Sequence, residues 1–119
     1  MGRIETLHTL TDWEKATHKI PEQGLLVFKF SPRCPISLRV ERDVDAWYEQ
    51  SLQALHCRCV KVDVVNARAL SRHIAQELSV PHESPQAILL SSTLNVHWHD
   101  SHLSIKGSVL DAQLASLSV

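Results

Sequence analysis

A mixed β-sheet of four to five strands, covered by helices on both faces, is the α/β fold that the order of hydrophobic patterns in this sequence predicts. Three observations carry that expectation. The run Gly24-Leu25-Leu26-Val27-Phe28-Lys29-Phe30 is short and nearly continuously apolar, as a central strand buried on both faces requires. It leads through Ser31-Pro32-Arg33-Cys34 into Ile36, Val40, Val44, Trp47 and Leu55, which recur at helical spacing and predict a long helix from Pro35 to Leu55. Cys57 to Val65 then alternates, with Cys57, Cys59, Lys61 and Asp63 on one face and Arg58, Val60, Val62 and Val64 on the other.

The remaining elements follow from local signals. Ile4 to Leu7 reads as a short leading strand. Thr11-Asp12-Trp13-Glu14 looks like a capping box, with Thr11 as the cap and Glu14 reaching back. Trp13, Ala16 and Ile20 form the apolar side of that helix, and Pro21 with Gly24 ends it. Pro35 suits a first helical position, where its missing N–H costs nothing. Ala67, Leu70, Ile74 and Leu78 mark another amphipathic helix, with Asn66 as a possible start. His82-Glu83-Ser84-Pro85 reads as a turn before a strand from Gln86 to Leu90. Thr93-Leu94-Asn95 turns the chain into a partner strand from Val96 to His99. A last helix starts at Lys106 or Ser108 and runs to Leu117. Two helix-linked parallel strands followed by a hairpin and a final helix make a thioredoxin-like three-layer sandwich, although element order alone leaves other α/β folds open.

Composition narrows the function classes. At 119 residues and 13.4 kDa the chain suits one domain, residues 1–119. Apolar residues make up 44% and charged residues 21%, a globular composition. With 12 basic against 13 acidic side chains and no basic block, nothing draws it to nucleic acid or to an anionic membrane. Eight histidines make its charge responsive to mild acid. No apolar run is long enough to span a bilayer, and Met1 to Leu10 is too polar for a secretion signal. Gly2 with Thr6 fits the N-myristoylation pattern, but no second lipid signal supports an anchor. An odd count of three cysteines without a secretion signal points to reduced thiols and a cytoplasmic location.

Cys34 is the candidate catalytic residue. It lies between a central strand and the first turn of a long helix, where the unpaired N–H groups and the positive end of the macrodipole favour a thiolate. Arg33 adds a neighbouring cation. The position three after Cys34 is Ser37, so there is no Cys-x-x-Cys pair; Ser37 either bonds within the first helical turn or faces the thiol. Cys57 and Cys59 follow a helix roughly 30 Å long, and neither is expected to reach Cys34. Pro85, directly before a strand and preceded by Ser84, is a candidate cis peptide. In the expected fold its loop faces the start of the Cys34 helix and leaves the Ser84 backbone free to pair with an extended substrate.

Cys34-Pro35-Ile36-Ser37 after an apolar strand, His82-Glu83-Ser84-Pro85-Gln86, and Trp98 with Ser101-His102 together resemble the monothiol bacilliredoxins, thioredoxin-like proteins of the bacillithiol system. That family usually has Thr where this chain has Arg33, a change that bears on thiol acidity and substrate approach. The resemblance implies removal of a low-molecular-weight thiol, bacillithiol, from S-thiolated proteins. Cys34 would act as nucleophile, with Arg33, Pro35, Ser37, Ser84 and Pro85 around the substrate, no bound cofactor and no metal. The small thiol would serve as co-substrate. The competing reading is a non-enzymatic thioredoxin-fold stress protein that binds a partner or is itself S-thiolated at Cys34.

Other signals are weaker. Cys57-Arg58-Cys59 puts two sulfurs on one strand face, which suits core filling or a dimer link better than a metal. His97, His99 and His102, with or without Cys59, form the remaining metal candidate. Trp47 and Trp98 belong to the core or to a thiol-binding groove. His82 and Glu83 either orient a ligand or cap their turn.

Overall fold

The structure is a computed structural model and describes residues 4–117. Gly2 of the myristoylation pattern lies outside the described residues. Five strands and four α-helices follow one another as β1 (Glu5–Leu7), α1 (Leu10–His18), β2 (Leu25–Phe30), α2 (Pro35–Gln50), β3 (Arg58–Asp63), α3 (Arg68–Leu78), β4 (Gln86–Leu90), β5 (Val96–Ser101) and α4 (Gly107–Leu117). A 3-10 turn, His102–Ser104, joins β5 to α4. The sheet order is β1-β3-β2-β4-β5. β3 runs parallel to both β1 and β2, whereas β4 is antiparallel to β2 and β5. This is the mixed, helix-covered sheet of a thioredoxin fold.

Alternation along the strands divides the interior into two cores. Leu25, Val27, Val60, Val62, Ile88 and Leu90 face one way, onto Trp13 and Ala16 of α1 and Leu70 and Ile74 of α3. Leu26, Phe28, Cys57, Cys59, Ala87 and Leu89 face the other way, onto Val40, Val44 and Trp47 of α2 and Leu110 and Leu114 of α4. Burial of these apolar side chains, at roughly 25 cal/mol per Å² of apolar surface, is the main force holding both layers to the sheet. Gly24, at φ +93°, turns the chain into β2, and a Cβ there would lie 2.9 Å from the Leu90 carbonyl oxygen.

Several element ends differ from the sequence expectation, each for a local reason. The α1 capping box is built two residues earlier than Thr11 and Glu14, on Thr9 and Asp12. Thr9 Oγ1 accepts from the Asp12 N–H, and Asp12 in turn accepts from the N–H groups of His8 and Thr9. A carboxylate that satisfies two donors outcompetes the later Thr11–Glu14 pair. Helix α2 stops at Gln50 rather than Leu55. There Ser51 Oγ and the Trp47 indole N–H both bond to Asp111 of α4, and Leu52 and Leu55 are left in solvent, 88% and 68% exposed. Asn66 does not cap α3; its amide and N–H bond back to Asp63, and Ala67 occupies the cap position. β5 continues to Ser101, two residues beyond the expected end.

Candidate active site

Cys34 is the N-cap residue of α2, in extended conformation and only half buried. Its carbonyl accepts the first intrahelical hydrogen bond, from Leu38 N–H at 3.0 Å. Its thiol makes no capping bond, and Pro35 occupies the first helical turn. The unpaired N–H groups of that turn are therefore the donors nearest the sulfur's end of the helix. The strand-to-helix connection is tied down from inside. Ser37, fully buried, accepts from the Ser31 N–H at 2.8 Å, so its hydroxyl serves the loop rather than the thiol. Ser31 Oγ accepts from the Arg33 N–H at 3.3 Å. The Arg33 side chain is exposed, and its charge is felt at Asp63. Burial raises the Asp63 carboxyl, but bonds from Asn66 and Val65, with Arg33, outweigh it and hold the group below its ordinary range.

Register pairs Lys29 with Gln86, so the loop before β4, with its cis peptide between Ser84 and Pro85, lies at the end of β2 from which the chain runs on to Cys34. The Pro85 carbonyl accepts from the His102 N–H at 2.9 Å, which fastens the loop to the end of β5. His102 Nε2 also lies 3.6 Å from a Glu83 carboxylate oxygen. Ser84 Oγ is buried and has no hydrogen-bond partner among the described residues. On one flank of this loop an open cleft of about 700 Å³ is lined by Ile36, Asp100, His102, Leu103, Lys106 and Val109. Ile36 and Leu103 expose apolar surface there. Cys34, Arg33, Pro35, Ser84 and Pro85 thus share one end of the sheet, and Ser37 supports it from beneath.

The other cysteines lie elsewhere. Parallel register pairs Leu26 with Cys59 and Leu25 with Arg58, so both sulfurs sit level with the beginning of β2, whereas Cys34 follows its end. Four residues of strand separate Leu26 from Phe30, about 13 Å, beyond the roughly 7 Å between Cα atoms that a disulfide allows. Both are buried, and burial pushes the Cys57 thiol up to about 12 and raises Cys59 well above its ordinary value. They are core residues. No cluster of three metal-ligating side chains exists among the described residues. Cys59 is on β3, three strands from β5, and His97 is bonded to Ser116 at 2.7 Å. Trp47 is a core residue, and Trp98 packs half-buried on the same core.

Sequence reasoning passed over Lys29. It is fully buried in β2, and its Nζ donates to the Ser71 carbonyl of α3 at 2.9 Å. A charge inside an apolar run was the available signal.

One partly exposed cysteine thiol at a strand-to-helix junction, at the same sheet end as a cis-proline loop, is the arrangement of a thioredoxin-fold thiol oxidoreductase. Solved structures agree on the fold. A thioredoxin-fold protein described as an oxidoreductase superposes with a TM-score of 0.79 at 27% identity, over 96% of this chain and 95% of that one. A thioredoxin from Nicotiana alata gives 0.74 at 18% identity, over 97% and 92%. Fasciola hepatica thioredoxin gives 0.73 at 18% identity, over 95% and 98%. Within that class, residues 5–110 match the family of the monothiol bacilliredoxin BrxC, and the chain belongs to the monothiol bacilliredoxins. No helix among the described residues is long and apolar enough to cross a membrane.

Proposed function

We propose that this protein removes a low-molecular-weight thiol, bacillithiol, from mixed disulfides on cytoplasmic proteins. The observation that carries the reading is Cys34: a half-buried thiol at a helix N-cap, with both other sulfurs sealed in the core at the far end of the sheet. The Cys34 thiolate attacks the small-thiol sulfur of the mixed disulfide. A new S–S bond forms between Cys34 and the small thiol, the old one breaks, and the target protein leaves as a thiolate that takes up a proton. A second small-thiol thiolate then attacks the adduct, forming the small-thiol disulfide and returning Cys34. That second molecule is the reductant, so no resolving cysteine is needed. The N–H groups of the α2 first turn stabilise negative charge on the sulfur in both steps. The Ser84 backbone and the apolar rim at Ile36 and Leu103 offer the target chain a place to lie.

The test is exchange on one model protein carrying bacillithiol, coenzyme A or glutathione, with the matching free thiol as reductant. Turnover is expected with wild type, fastest with bacillithiol, and none above background with Cys34→Ser. A wild type that accepts a single thiol and goes no further would instead be a passive, S-thiolated acceptor.

A further inference from the structure

Two lysines are buried in this sheet, and they differ in what neutralises them. Lys61 of β3 meets two carboxylates of α2, Glu41 and Asp45, each at 2.8 Å. Lys29 of β2 points to the opposite layer and meets none among the described residues; its only bond is to the Ser71 carbonyl. Burial accordingly lowers the Lys29 ammonium to about 8. Beside it, Gln86, its register partner on β4, keeps a buried amide oxygen without a hydrogen-bond partner.

In front of Ser71 is a cleft of about 200 Å³ lined by Val64, Arg68, Ser71, Arg72 and His82. Arg68, Arg72 and His82 belong to its lining, and no Asp or Glu among the described residues does. The charges are close enough to act on one another. Burial, then Lys29, then Arg72 disfavour protonation of His82, and only Glu83 favours it. Glu83 itself leans toward His102. Asp63, the other nearby acid, is engaged by Val65 and Asn66. A concave site rimmed by Arg68, Arg72 and His82, with Lys29 behind Ser71, attracts an anion, and paired N–H donors of Arg suit a carboxylate.

The cleft also stands at the catalytic end of the sheet. Val64 N–H bonds to the Phe30 carbonyl at 2.9 Å, four residues before Cys34, and His82 belongs to the loop that carries the cis peptide. Val64 follows β3 and His82 precedes β4, the two strands that flank β2, and the end of β2 leads through Ser31–Arg33 to Cys34 at the N-cap of α2.

We propose that the cleft between α3 and His82 is a carboxylate subsite for the low-molecular-weight thiol, so that exchange at Cys34 selects thiols bearing negative charge remote from the sulfur. This rests on the reading of Cys34 as the exchanging thiol. One model protein is loaded with glutathione or with glutathione diethyl ester, which match in length and differ in carboxylate charge. Each rate is divided by its rate with free dithiothreitol. Wild type is expected to prefer the free acid by about tenfold or more in kcat/KM, and Arg68→Gln with Arg72→Gln to collapse that preference toward one. A wild-type ratio near one overturns the subsite.

A second measurement does not depend on turnover. In the Cys34→Ser protein, succinate is expected to raise the NMR titration midpoint of His82 relative to sodium chloride at equal ionic strength. The Arg68→Gln, Arg72→Gln form should lose most of that shift. Equal midpoints in the two salts overturn the subsite. Absence of exchange with a succinate response intact removes the Cys34 reading and leaves the anion site standing.

Discussion

The two ends of this sheet carry the same side chain in opposite conditions. Beyond the end of β2, Cys34 occupies the N-cap position of α2 and remains half exposed. At the beginning of β3, Cys57 and Cys59 follow the strand alternation into the α2 layer and become small apolar core groups. Burial keeps those two protonated; Cys57 is pushed up to about 12. A thiol's chemistry is thus decided by the element boundary on which it falls. In this fold the ends of parallel strands are where backbone donors are unpaired and loops converge.

The largest contrast should appear in labelling. A maleimide or aromatic disulfide is expected to modify Cys34 in the native protein at least about 1,000-fold faster than Cys57 or Cys59, which need local or global opening. In denaturant the three rates should converge. Comparable native rates would show that the core sulfurs are not sealed.

Alkaline pH sharpens the comparison through stability. The Cys57 thiol ionises near 9 when unfolded and near 12 when folded, so its contribution is intact below pH 9 and is lost as pH rises from there toward 12, by roughly 1.4 kcal/mol per pH unit. Cys59 acts in the same direction. Lys29 acts the other way. Its folded value, about 8, is below the ordinary 10.5, so the cost of burying its charge is relieved as pH rises between those values. Stability measured by urea should therefore rise from pH 8 to 9 and fall beyond it. Lys29→Met should remove the rise and stabilise the protein near neutral pH by about 1–3 kcal/mol. Cys57→Ala with Cys59→Ala should soften the fall.

A smaller effect tests how the reactive end is built. Ser37→Ala leaves the Ser31 N–H without its acceptor, and a loss of about 1–2 kcal/mol is expected in urea denaturation. Exchange at Cys34 should slow with it, because Ser31 holds the loop that presents the sulfur. Unchanged stability and rate would mean that the loop is held by its other contacts.

Much of this was legible in the sequence because it is local. The apolar run of β2, the alternation of β3, Pro35 at a helix start and Pro85 before a strand each carry their own conformational signal, and the thioredoxin order follows from them. The parts that were not legible depend on distant partners. Periodicity extends α2 to Leu55, but Asp111, sixty residues beyond Ser51, takes the Ser51 hydroxyl and ends the helix at Gln50. Two Thr-x-x-acid patterns overlap at the start of α1, and only the backbone geometry selects Thr9 over Thr11. Lys29 was visible as a charge among apolar residues. Its pairing with the Ser71 carbonyl, with no carboxylate against it among the described residues, and the arginines beyond it arise only when α3 and the loop before β4 close over β2.

Intact-mass analysis of the native protein after brief exposure to a bacillithiol mixed disulfide tests the central claim most directly. A single small-thiol adduct is expected, mapped by peptide digestion to Cys34, reversed by free bacillithiol and absent in Cys34→Ser. An adduct on Cys57 or Cys59, or loss of two hydrogens through an internal disulfide, would contradict the single-sulfur account.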